Sequence, residues 1–230
     1  MNLPNCKKIL VSSALVAAFF LPASAIAFDA ELEYGPTNPS GPWSYGYTAS
    51  FGSPFIAFDV FTFPSFAPAG AWQATGGDQF LVLARDVDGD LFFHPGPGTE
   101  RAVLRFTAPT TASYSVSVQF IDADGGDTSG HVLLNGDTLS PLAHFASTVA
   151  SPTFTDSLTL NSGDLLDIVV GNNGDYFSDS TGLSVRITAI PEPAQTSLAL
   201  GLLGLAGAAT RRRRDFSRSH SSVLTRSSLR

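Results

Sequence analysis

Between residues 28 and 190 the apolar side chains alternate with polar ones and do not recur every 3.6 positions, which is the period of a strand with one buried face. Tyr114-Ser115-Val116-Ser117-Val118-Gln119-Phe120 is the clearest case, with Tyr, Val, Val and Phe on one face and Ser, Ser and Gln on the other. Phe154 to Leu160 and Leu183 to Thr188 behave similarly. Phe80 to Ala84, Arg101 to Phe106, His131 to Leu134 and Leu165 to Val170 are apolar runs bounded by turn formers. Those boundaries include Asn135-Gly136-Asp137, Asn161-Ser162-Gly163-Asp164 and Gly171-Asn172-Asn173-Gly174-Asp175, the chemistry of hairpins and loops. At least eight short strands, with turn signals about every ten residues, predict an all-β chain: a single antiparallel β-sandwich of jelly-roll type over 28–190. No stretch of this region reads as a long helix.

Composition sharpens the picture. Glycine (21 of 230) and proline (15 of 230) both exceed their usual ~7% and ~5%, as a turn-rich chain requires. Charge divides the chain into three parts. Residues 1–27 hold Lys7 and Lys8 and no acid, residues 28–190 hold four arginines against 18 acids for a net −14, and residues 191–230 hold seven arginines against two acids. A middle region at −14 repels phosphates, so it is not a nucleic-acid binder. The only cysteine is Cys6, so 28–190 has no disulfide, no thiolate metal site and no cysteine nucleophile.

The two ends read as addresses. Lys7 and Lys8 precede 13 apolar or small residues, Ile9 to Leu21, followed by Pro22 and an A-x-A site at Ala25 and Ala27. That is the layout of a signal peptide over 1–27, cut after Ala27 by signal peptidase on passage through the Sec translocon. At the other end Pro191-Glu192-Pro193 closes the last strand, since proline lacks a ladder donor. An uncharged stretch over 196–210 follows, then Arg211, Arg212, Arg213 and Arg214, a stop-transfer pattern under the positive-inside rule. As a helix it reaches only about 22 Å, so local thinning and arginine snorkelling would have to accommodate it.

Pro-Glu-Pro, a short Leu/Gly/Ala segment and an arginine cluster, in that order over 191–214, resemble the PEP-CTERM sorting signal of exported bacterial proteins, a tail also named an ice-binding protein C-terminal domain. The resemblance implies export, transient anchoring in the inner membrane and removal of the tail by an exosortase-like transpeptidase. It further implies a place on the cell surface or in the extracellular polysaccharide of a Gram-negative biofilm. This sequence continues past the usual end of that signal, with a Ser/Arg-rich extension over 215–230, expected to be a disordered basic tail. Asn38 to Tyr47, His94-Pro95-Gly96 before Arg101 to Pro109, and Tyr176 to Leu183 are in turn similar to a jelly-roll domain of exported, uncharacterised bacterial proteins. Some relatives of that domain resemble carbohydrate-binding modules.

Candidate chemistry is sparse. His94, His131 and His144 occur without a G-x-S-x-G elbow or an H-E-x-x-H pair, so they read as structural or surface residues and no catalytic residue is assigned. Asp86, Asp88 and Asp90 alternate in one loop, and Asp122, Asp124 and Asp127 gather in a second. Both are candidate sites for Ca²⁺, a hard cation that takes oxygen ligands. Neither is an EF-hand, because glycine falls at the fourth position of the first loop and Pro97 stands where the twelfth-position glutamate belongs. The competing reading is that these aspartates simply make turns. Sugar stacking needs exposed rings, and Trp43, Tyr45, Tyr47, Trp72 and Tyr176 are the candidates, against the commoner fate of large rings in the core. Core is the favoured reading for Trp43 and Trp72. Ice binding is discounted, because Thr153, Thr155 and Thr159 form no regular array.

The expectation is a non-enzymatic exported surface or matrix protein that interacts weakly with polysaccharide, with no obligate cofactor beyond the candidate Ca²⁺. The alternatives are a purely structural acidic matrix protein and a glycan-active enzyme using aspartates.

Overall fold

The computed structural model describes residues 25–191. In chain order the elements are β1 (Ile26–Asp29), α1 (Ala30–Glu33), β2 (Trp43–Thr48), β3 (Phe55–Ala57), β4 (Val60–Thr62), β5 (Ala71–Gln73), β6 (Val82–Arg85) and β7 (Leu91–His94). They continue as β8 (Arg101–Thr107), β9 (Ala112–Asp122), β10 (Thr128–Leu134), β11 (Ala143–Phe145), β12 (Thr153–Leu160), β13 (Leu165–Asn172) and β14 (Thr181–Ile190). The fold is an antiparallel β-sandwich of jelly-roll type. One sheet runs β12-β9-β14-β7-β6-β5-β4, with β1 on β14 as its eighth strand, and the other runs β11-β10-β13-β8-β2-β3.

β14 is the spine of the larger sheet. Along one side it pairs with β9 from Thr181↔Asp122 to Ile190↔Ser113. Along the other, β7 takes Thr181 to Leu183 and β1 takes Arg186 to Ala189, so two strands lie end to end on a single edge. Asp29 ends β1 by capping α1, its Oδ1 accepting from the Glu31 and Leu32 amides. A cap of this kind is worth about 1 kcal/mol.

The alternation read from β9 is the alternation observed: Tyr114, Val116, Val118 and Phe120 are buried while Ser115 and Gln119 are exposed. With Leu183, Val185 and Ile187 of β14 they meet Trp43, Tyr45, Leu104, Phe106, Leu166, Ile168 and Val170 of the other sheet in one core. Fully burying such side chains is worth about 1.5–3 kcal/mol each.

The unbroken apolar runs have a different cause. The loop between β2 and β3 and the start of β3 fold over the outer face of the smaller sheet, where Phe51 and Phe55 pack on Val103, Leu133 and Val169. Beneath this cover Arg105 and Asp167 form a two-pronged ion pair at 2.7 and 2.8 Å, with the guanidinium 4.2 Å from the Phe55 ring centre. On the larger sheet Ala67 lies over Ala71, Val82 and Ala84. Strands buried on both faces show no alternation.

Two turn signals connect differently from a hairpin. Asn161 to Asp164 and the loop after Asn172 each carry the chain from one sheet to the other, because β12 and β14 belong to the larger sheet and β13 to the smaller. Asn135-Gly136 has positive φ at both residues (53° and 73°), as a type I′ turn requires.

Among the described residues no helix is long and apolar enough to cross a membrane. Glu192, Pro193, Arg211 to Arg214, the 196–210 segment and the 215–230 extension lie outside the described residues, as do residues 1–24. Of the processing residues within them, Ala25 is exposed ahead of β1, and Pro191 follows β14 directly. Ala27 is inside β1, opposite Thr188. Cleavage after Ala27 would leave Phe28 and Asp29 as the part of β1 still paired with β14.

Trp43 is wholly buried, so Trp43→Ala should destabilise the protein by about 3–5 kcal/mol, whereas Leu139→Ala, at 95% exposure, should stay within about 0.5 kcal/mol. Chemical-denaturation midpoints of the two variants check both values.

Candidate functional site

At the end of the sandwich where β14 begins, four loops converge on an open cleft of about 440 Å³. Its walls are largely aromatic: Phe66, Phe80, Phe92, Tyr176 and Phe177, with His94 and Asp124 supplying polar groups. The loop after β13 reverses at Gly174, whose φ of 96° suits glycine, and the Asp175 carboxylate accepts from the Phe177 amide at 3.2 Å. Tyr176 is thereby turned into the cleft and Phe177 toward solvent.

One carboxylate joins two of the walls. Asp78 Oδ1 accepts the Phe80 amide at 2.8 Å and also the Tyr176 hydroxyl, so loops 98 residues apart in sequence share an acceptor. Burial, then Asp78 beside it, keeps the Tyr176 phenol well above its ordinary pKa, and it stays a donor. The rings set one another's tilt: Tyr176 meets His94 edge-on at 5.2 Å, Phe80 lies 5.8 Å from His94, and Phe66 lies 5.8 Å from Phe80. His94 Nδ1 is 2.8 Å from the Pro95 carbonyl. A carbonyl only accepts, so that nitrogen carries a proton.

A second, larger groove of about 660 Å³ adjoins the cleft and shares Phe92, Asp124 and Ser180 with it. Both acidic loops border this groove, through Asp86 and Asp90 on one side and Asp122 and Asp124 on the other. Asp86 Oδ1 accepts from the amides of Asp88 and Asp90, both at 2.9 Å, which is the turn role. Asp122 Oδ1 accepts from the Gly125 amide at 2.8 Å, and Asp124 accepts from the Ser180 amide at 3.1 and 3.2 Å. Asp127 lies on the same loop, and among the described residues no three His, Cys, Asp or Glu side chains stand together as a ready-made metal cage. Nearby, Asp179 is fully buried with neither carboxylate oxygen hydrogen-bonded. Burial, then the charges of Asp175, Asp124 and Asp127, push its pKa up to about 7.

The aromatic candidates separate sharply. Trp43 and Tyr45 are wholly buried and Trp72 nearly so, its indole N–H donating to the Gly35 carbonyl at 3.0 Å. None of the three offers a face to a ligand, because the inner side of β2 and of β5 is the core. Tyr47 is half-buried and stacks on Phe58 at 5.5 Å. Tyr176 alone of the five lines the cleft. The sequence reading missed Phe66, Phe80 and Phe177 and took His94 as structural. Phe177 had a signal, adjacency to Tyr176 in a Gly/Asn/Asp loop, but Phe80 was absorbed into an apolar run.

His131 lies elsewhere, on the outer face of the smaller sheet. It stacks flat on His144 at 4.5 Å and lies 4.4 Å from Phe51, which in turn carries the Arg101 guanidinium at 5.0 Å.

No protein-family model matches this chain, and no curated protein matches it. Solved structures with a similar arrangement include CBM51 from Clostridium perfringens GH95 in complex with methyl-galactose, at 12% identity and a TM-score of 0.36, over 70% of this chain and 99% of that one. CBM35 from Paenibacillus barcinonensis is 10% identical with a TM-score of 0.31, over 72% and 99%. The Podospora anserina GH26-CBM35 β-(1,4)-mannanase is 16% identical with a TM-score of 0.32, over 74% of this chain and 29% of its own length.

Burial, then the charges of His144 and Arg101, push the His131 pKa down to about 4. The unfolded chain, with an ordinary His pKa of about 6.5, therefore binds more protons between the two values. Stability should fall as pH drops from about 6.5 to about 4, by on the order of 2 kcal/mol. His131→Phe should remove that component, and the difference between the two denaturation curves across this pH range measures it.

Proposed function

We propose that this chain is an exported, non-enzymatic surface or matrix protein whose sandwich binds polysaccharide weakly through the aromatic cleft. One observation carries the reading. Phe66, Phe80 and Phe177 are 39%, 38% and 80% exposed beside Tyr176, an open row of rings gathered in one cleft. Such faces suit the apolar C–H patches of pyranose rings, while Asp124, Ser178 and Ser180 on the rim can bond hydroxyls. A concave site with apolar walls and a few convergent polar groups is the common form of a small-ligand site.

The sorting part of the proposal rests on the two ends of the sequence. The A-x-A site would release the chain after Sec-dependent passage, and Pro191-Glu192-Pro193 with the arginine cluster would be read by an exosortase-like transpeptidase at the inner membrane. Weak affinity is consistent with this placement, since many copies on one surface act together.

Two measurements test the proposal. In titrations of the full-length chain with soluble polysaccharides, Phe80→Ala and Asp78→Ala should each weaken binding by about tenfold, equivalent to about 1.4 kcal/mol. Affinity unchanged from the wild type in both variants would show that the cleft is not the site. Mass spectrometry of the exported protein should find a mature N-terminus at Phe28 and no peptide from Arg211 onward, and recovery of the arginine cluster in that material would refute the sorting assignment.

A further inference from the structure

The strongest unmet demand in the molecule is at Asp179. Its side chain is wholly buried, yet neither oxygen has a hydrogen-bond partner, an arrangement that leaves an ionised carboxylate uncompensated and strongly disfavoured. The charges that raise its pKa are all of the same sign: Asp175 on its own loop, and Asp124 and Asp127 on the loop between β9 and β10. No arginine balances them, since the four of the described residues are used elsewhere. Arg85 bonds the Gly89 carbonyl, Arg101 bonds Ser129, Arg105 pairs with Asp167, and Arg186 pairs with Asp29.

The two loops close on each other at Gly126. A Cβ there would lie 1.7 Å from the Ser178 carbonyl oxygen and 2.8 Å from Asp179 Oδ1, so glycine is required and both the Ser178 carbonyl and the Asp179 carboxylate lie against the β9–β10 loop. Asp124 also ties the loops by accepting from the Ser180 amide.

We propose that the β9–β10 and β13–β14 loops bind one Ca²⁺ between them, held by Asp179 with the neighbouring aspartates and backbone carbonyls. Ca²⁺ accepts six to eight oxygens, and carboxylates, carbonyls and waters all serve, so a site short of a three-carboxylate cage remains adequate. The donors are all oxygen, which favours a hard cation over zinc or copper. The assignment keeps Asp124 of the second acidic loop, adds Asp179, and drops the first loop, where Asp86 Oδ1 is spent on the amides of its own turn. It also has a structural consequence: the ion would fasten the loop that carries Tyr176 and Phe177. The proposal goes beyond glycan binding and stands or falls without it.

The test is calorimetric titration of the chelator-treated full-length chain in detergent with CaCl₂, with thermal unfolding followed in parallel. One Ca²⁺ should bind per chain and raise the unfolding temperature. Asp179→Asn, nearly isosteric, should weaken binding by about tenfold or more, a loss of about 1.4 kcal/mol or more, and Asp124→Asn should weaken it too, while Asp88→Asn should leave it unchanged. If Asp179→Asn does not fold, Asp124→Asn against Asp88→Asn decides the matter. Absence of a Ca²⁺ response, or a response lost in Asp88→Asn and kept in Asp179→Asn and Asp124→Asn, overturns the proposal. Glycan titrations are separate from this readout, so either reading can fail alone.

Discussion

Everything in this domain depends on two sheets meeting through one dry layer. With no cysteine after Cys6, no covalent staple holds the sheets together. The attachment is the interlocking of β9 and β14 side chains with those of β2, β8 and β13. Aromatics are prominent in that layer, and several touch in edge-on or tilted pairs: Trp43 with Phe106 at 5.2 Å, Phe106 with Tyr114 at 5.9 Å, and Tyr34 with Tyr45 at 5.1 Å. Geometry of this kind adds about 0.5–1.5 kcal/mol per pair beyond burial. A sandwich of this length can stand on burial alone, but only if its inward positions remain apolar.

That requirement explains what the sequence revealed. The period-two strands β9, β12 and β14 were legible because one face of each meets the core and the other meets water. β8, β10 and β13 were legible as strands, but their second buried face was not. The residues that cover it, Phe51 and Phe55, come from a short irregular stretch whose destination is set by tertiary packing. The three- and four-residue strands β3, β4, β5, β7 and β11 are too short for a period to register, and β1 finds its partner only at the far end of the chain.

The candidate site was less legible for the same reason. The sequence marks large rings and acidic loops but not which side of a strand faces in. Trp43 and Tyr45 sit in a Gly/Pro-rich segment that resembles a loop, yet β2 buries both. The cleft is assembled from residues 66, 80, 94, 124 and 176–180, five separate stretches, and no local pattern joins them. Asp78 is the link, and its part depends on a tyrosine far along the chain.

The placement of β14 sets the order in which the molecule can be completed. Three strands, β9, β7 and β1, wait for this last one, so a chain emerging from its N-terminus carries three unsatisfied ladders until Thr181 to Ile190 arrive. Raw edges of that sort recruit other chains, and pairing across such sequence distances is slow. The interval before the final strand inserts is therefore when the polypeptide is most vulnerable to aggregation and proteolysis, and whatever escorts it must shield it until that insertion.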